Sequence, residues 1–176
     1  MHDQHQLLEG RLRRFLLDQL EPALHRASAP LDIAAYEVPD EPITFAEATA
    51  QEFAPVAVGS RWGRPWSTLW LHVTGAVPAD WEVPAGTRTE LYIHLGFTGG
   101  PGFNAEGLAW RPDGTVIKGV APDNTWLPIE GEQIDFYLEA AGNPNTGLAM
   151  MKHGFTPTPF GDKATAPADP LYVLEN

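Results

Sequence analysis

Cysteine is absent from the sequence. That excludes disulfides, thiolate zinc sites, iron–sulfur clusters and thiol nucleophiles together, and it fits a reducing compartment. Basic residues are scarce: 11 Lys and Arg stand against 23 Asp and Glu, for a formal net charge of −12. A nucleic-acid binder that tracks phosphates needs clustered Lys and Arg. Adhesion to an anionic membrane needs the same. Neither class fits this chain. No apolar run approaches the roughly 18 residues of a membrane span, and Met1 to Gly10 has neither the basic nor the apolar region of a secretory signal. The expectation is a soluble, cytoplasmic protein with no nucleic-acid or membrane partner.

What is present points to a folded chain rich in turns. With 176 residues, one domain is the prior and two the limit. Hydrophobic residues at 43% and charged ones at 19% can supply a core. Glycine and proline contribute 17 residues each, spread without period, which favours short strands over long helices. Six tryptophans are many for this length. Each offers a flat face and one N–H, suited to cores, interfaces and sugar stacking.

The first segment reads as a helix. Leu8, Leu12, Phe15, Leu16, Gln19, Leu20 and Leu24 recur at steps of three and four. Asp3 is a candidate N-cap, and Pro22 is expected to bend or end the helix. Residues 27–60 read as a transition punctuated by proline, with one helical turn starting at Thr44, where Glu47 completes a capping-box spacing. Strand patterns follow. Leu69, Leu71 and Val73 alternate with Thr68, Trp70 and His72. Leu91, Ile93 and Leu95 alternate with Tyr92 and His94. Ile134, Phe136 and Leu138 alternate with Asp135, Tyr137 and Glu139. Arg111-Pro112-Asp113-Gly114 reads as a hairpin turn in which Gly114 supplies a positive φ. The segment His153 to Asp169 is expected to be irregular, and Leu171 to Leu174 a last strand or the start of a further element.

Most reaction chemistries find no handle. The six histidines show no H-x-H, H-x-D or H-E-x-x-H spacing, so no metal site is expected. His72 and His94 would be neighbours if their strands paired. Gly96 to Gly102 is glycine-rich but lacks phosphate-loop spacing and a lysine. No G-x-S-x-G elbow occurs. Glu106 and Glu139, beside Trp110 and Tyr137, are a carboxylate pair by position, though chance supplies such pairs in an acidic chain. No catalytic residue is assigned. Trp62 and Trp66 bracket Gly63-Arg64-Pro65 and are either ligand-stacking or packing residues.

Several spaced motifs together resemble one family. They are Phe53-Ala-Pro-Val-Ala-Val-Gly59, Trp62-Gly63, Pro65-Trp66-Ser67-Thr68-x-Trp70-Leu71 and Val77-Pro78-x-x-Trp81. Glu106-Gly-Leu-Ala-Trp110-Arg-x-Asp113-Gly114 and Glu139-Ala-Ala-x-Asn143 follow in order. Over roughly residues 42–150 the chain resembles the N-terminal accessory domain of α-mannosidases of glycoside hydrolase family 38, cytosolic and bacterial branch. The loop Gly96 to Ala105 and Pro112 depart from that pattern. The resemblance implies a jelly-roll-like antiparallel β-sandwich, galactose-binding-domain-like, preceded by an N-terminal α-helix. On this reading residues 1–28 form the helix, packing on the sandwich, and residues 29–176 the accessory domain.

The resemblance also implies a parent enzyme that is a retaining α-mannosidase with zinc in a downstream catalytic domain. That domain opens on a His-x-Asp element that this sequence lacks. The chain itself is then non-catalytic and without cofactor. Its expected partner is the catalytic domain of the same polypeptide. An independent carbohydrate-binding module and an oligomerisation domain are the alternatives. Candidate carbohydrate or interdomain contacts are Trp62, Trp66, Trp110, Trp126 and Glu106, with Asp113 and Gly114 as structural turn residues.

Overall fold

A computed structural model describes residues 4–97, 104–143 and 172–174. The chain divides into two compact units, Met1–Pro30 and Leu31–Asn176. In the first, α1 (Gln4–Phe15) continues through a wider π-type turn, Leu16–Leu20, into α2 (Glu21–Leu24). Pro22 therefore does not end the helix. It sits in the first turn of α2, where a missing N–H leaves no helical bond unmade. Taken by itself, this rod has nothing with which to bury Leu8, Leu12, Phe15, Leu16, Leu20 and Leu24. The candidate cap Asp3 lies outside the described residues. No described helix is long and apolar enough to cross a membrane.

The second unit is an antiparallel β structure. Its strands are β1 (Asp32–Val38), β2 (Ala54–Val56), β3 (Arg61–Trp62), β4 (Ser67–Ala76) and β5 (Glu90–Tyr92). They continue with β6 (Glu106–Trp110), β7 (Val116–Val120), β8 (Trp126–Pro128), β9 (Gln133–Gly142) and β10 (Tyr172–Val173). Six of them form one sheet in the order β2-β1-β4-β9-β6-β7, and two pairs, β10-β3 and β5-β8, form small sheets. Leu69, Leu71 and Val73 of β4 and Ile134, Phe136 and Leu138 of β9 point to one face of the large sheet, as their alternation predicts. There they meet Trp62, Leu91, Leu127 and Tyr172 from the small sheets in one buried cluster, which closes the sandwich.

The opposite face of the large sheet is also covered. Helix α3 (Phe45–Thr49) is capped as its sequence predicts: Glu47 N–H donates to Thr44 Oγ1, and Thr44 N–H donates to Glu47 at 2.8 Å. It carries Phe45 onto Trp70, Trp110 and Tyr137, with ring centroids 6.0, 5.5 and 5.5 Å away. Phe53 packs edge-on against His72 and Tyr137.

Two expectations need correction. Residues 27–60 are not merely a transition, because β1 lies inside the large sheet, between β2 and β4. Its Ile33 and Ala35 pack with one cluster while Tyr36 and Val38 pack with the other, so no polar alternation marks it. The strand expected over Thr89 to Leu95 is shorter, ending at Tyr92, with His94 in an isolated bridge. Within the stretch expected to hold a last strand, Tyr172–Val173 forms β10, paired with β3. The irregular stretch expected from His153 to Asp169 lies outside the described residues.

Candidate functional site

The tryptophans sort by environment. Trp62 is a core residue, 6% exposed, tilted against Tyr172 at 5.5 Å and donating its indole N–H to Leu95 O at 3.0 Å. No ligand face remains, so Trp62 is not a stacking platform. Burial pushes the Tyr172 phenol up to about 12, and its hydroxyl donates to Asn143 O. Trp66 is 43% exposed and holds φ at +65°. Arg64-Pro65-Trp66-Ser67 is a turn closed by Ser67 N–H on Arg64 O at 2.9 Å. With proline second and a positive φ third, it has the form of a type II turn, which calls for glycine at the position Trp66 fills. The Trp66 N–H donates to Gly142 O, tying the turn to the end of β9. A bulky residue in left-handed backbone is strained by roughly 1–2 kcal/mol.

Trp70, Trp110, Glu106 and Glu139 share the α3 side of the large sheet. Trp70 is opposite Glu139, and Trp110 is opposite Tyr137 in the next row. Glu106 is opposite Ala141, diagonal to Glu139. The register thus brings the two carboxylates of the sequence reading onto one face. Burial holds the Glu139 carboxyl above its ordinary range, partly offset by the Trp110 indole nearby. That indole N–H, like that of Trp70, is buried without a partner at full hydrogen-bond geometry. Phe45 covers Trp70 and Trp110, so neither presents an open ring. His72 bonds Asp135 at 2.9 Å and stacks on Tyr137 at 4.3 Å. The strand pairing that would set His94 beside it does not occur: β5 ends at Tyr92 and belongs to a different sheet from β4.

Trp126 sits where β8 meets the edge strand β7. Lys118 Nζ lies 3.6 Å from its ring centroid and donates to Trp126 O at 3.0 Å. The Arg88 guanidinium carbon lies 4.4 Å from the same centroid. Across the β5–β8 ladder, Tyr92 is opposite Trp126 and half exposed. The sequence reading named Trp126 without its neighbours. The available signal was the period-2 spacing Arg88, Glu90, Tyr92, which puts all three on the side away from buried Leu91.

The hairpin forms as predicted. Gly114 has φ +85°, its N–H donates to Arg111 O, and Asp113 accepts from Thr115 N–H at 2.9 Å. That hydrogen bonding, from the Thr115 hydroxyl first, holds the Asp113 carboxyl below its ordinary value. A Cβ on Gly114 would lie 3.4 Å from the Phe45 ring. Beside the hairpin a recess of about 150 Å³, lined by Arg111, Glu130, Gln133, Asp135 and apolar residues, is smaller than the roughly 300 Å³ of an ordinary ligand pocket.

The family model described as "Alpha-mannosidase, jelly roll domain" matches residues 29–175. The chain belongs to this family. Alpha-mannosidase G of Dictyostelium discoideum is similar, 27% identical over 119 residues that cover 61% of this chain and 10% of that protein. The chain thus spans about a tenth of the length of the curated relative it matches. The match covers β1 to β10 and begins after α2, so the helical rod lies outside the jelly roll domain as the family defines it. Zinc, which the sequence resemblance implies for the family's hydrolytic chemistry, finds no fitting ligand set in the described part of the jelly roll domain. No three His, Asp or Glu side chains there are placed to hold a metal ion.

Proposed function

We infer that this jelly roll domain is the non-catalytic N-terminal part of an α-mannosidase of glycoside hydrolase family 38, working in the cytoplasm. In that role it packs on a zinc-dependent catalytic domain of the same polypeptide and shapes it. The family match over residues 29–175 carries the reading. Trp66 supports it. A strained, exposed tryptophan in a turn is the kind of residue that anchors protein interfaces. The Glu106–Glu139 pair does not favour a second catalytic site, since its flanking indoles are covered by Phe45.

The test is hydrolysis of a chromogenic α-mannoside by the purified chain, with zinc supplied. The expected result is no turnover above a blank. Turnover that co-purifies with the chain and falls in Glu139→Gln would overturn the reading.

A further inference from the structure

Six apolar side chains of the N-terminal rod, Leu8, Leu12, Phe15, Leu16, Leu20 and Leu24, are between 43% and 71% exposed. In an α-helix a residue four places on is turned by about 40°, so leucines at 8, 12, 16, 20 and 24 would wind away from a straight partner. The π-type turn over Leu16–Leu20 turns less per residue and takes that drift back. The five leucines therefore keep to one stripe along a rod that runs from Gln4 to Leu24 and is about 30 Å long. The rod holds three Arg against three Asp and Glu, for a formal charge of zero, so the net charge of −12 resides in the rest of the chain.

We propose that this stripe is the interface of a homodimer, in which two copies of the chain pair their rods antiparallel about a two-fold axis at Leu16. The spacing is self-complementary in that arrangement: Leu8 of one copy meets Leu24 of the other, Leu12 meets Leu20, and Leu16 meets Leu16. Charge selects the occupant and the direction. A neutral rod approaches its own copy without the repulsion that the acidic remainder of two such chains feels. Each jelly roll domain follows the Leu24 end of its rod. A parallel pair would bring both acidic domains to one end, whereas an antiparallel pair sends them to opposite ends and sets the helix dipoles head to tail. The stripes of two copies supply twelve side chains at roughly 100 Å² of exposed apolar surface each, about 1,200 Å², which reaches the lower bound of a specific interface. An anionic membrane surface would call for a basic rod. The dimer does not depend on the packing role inferred above.

Sedimentation of the full chain at physiological salt tests this and is expected to show a dimer. Leu12→Glu, which meets Leu20 across the axis, is expected to weaken dimerisation by at least about a hundredfold, because it buries an unpaired carboxylate in each half. Since the sequence has no cysteine, introduced ones report the register. Leu16→Cys faces its own mate and is expected to give a disulfide-linked dimer under mild oxidation. Leu8→Cys or Leu24→Cys alone is expected to cross-link at least about tenfold more slowly, and a mixture of the two as fast as Leu16→Cys. A retained β-sheet circular dichroism spectrum establishes that each variant folds. A monomer at every concentration, a dimer that survives Leu12→Glu, or equal cross-linking by the three single cysteine variants would overturn the proposal.

Discussion

Trp62 and Trp66 are four residues apart and meet opposite environments. Trp62 is enclosed by Tyr172 and bonded to Leu95 O, so Trp62→Ala removes core volume and is expected to cost about 3–5 kcal/mol. Trp66 occupies left-handed backbone while remaining exposed. Asparagine tolerates that backbone, so Trp66→Asn is expected to hold stability to within about 1 kcal/mol of the parent. Denaturant unfolding of both variants checks the contrast. A loss of 3 kcal/mol in Trp66→Asn would mean that the indole is part of the core. Sequence spacing gave both residues the same rank because burial of a tryptophan depends on where its strand lands. Gly114 was more legible, since the turn chemistry of Asp113-Gly114 is local and its positive φ follows from it.

Among the elements, α3 was readable and β1 was not, for one physical reason. The capping box of α3 is written in Thr44 and Glu47, three residues apart. The place of β1 is written in partners 19 to 42 residues away, and burial on both faces erases its alternation. The same covering by α3 hid the fate of Trp70, which the alternation of β4 set on the face away from Leu69 and Leu71. The cap also gives a pH signature. Hydrogen bonds from Thr44 hold the Glu47 carboxyl below its ordinary value of 4.5. A carboxyl depressed in the folded state stabilises the fold above its unfolded pKa, and that contribution fades as pH falls through the folded value. Thr44→Ala is therefore expected to lower the melting midpoint at neutral pH, and the gap to the parent is expected to narrow below pH 4.5. Thermal melts of both proteins across that range check the sign. A gap that widens in acid would contradict the cap.

At the scale of the whole molecule, antiparallel sheets and a helical N-terminal segment follow from alternation, turn density and leucine spacing, whereas the cover on the second face of the large sheet does not. The sandwich closes through β3, β5, β8 and β10, each only two or three residues long. Strands that short carry too little period to be read in advance, which is why the tally of elements fell short while the fold class did not. The central claim is that this domain packs on a catalytic partner. The most direct measurement is complex formation between the purified chain and a version of the proposed parent enzyme lacking this domain, followed by sedimentation, with that enzyme's melting midpoint read in parallel. The account predicts a one-to-one complex and a raised midpoint. Independent sedimentation, with an enzyme already fully stable and active alone, would contradict it.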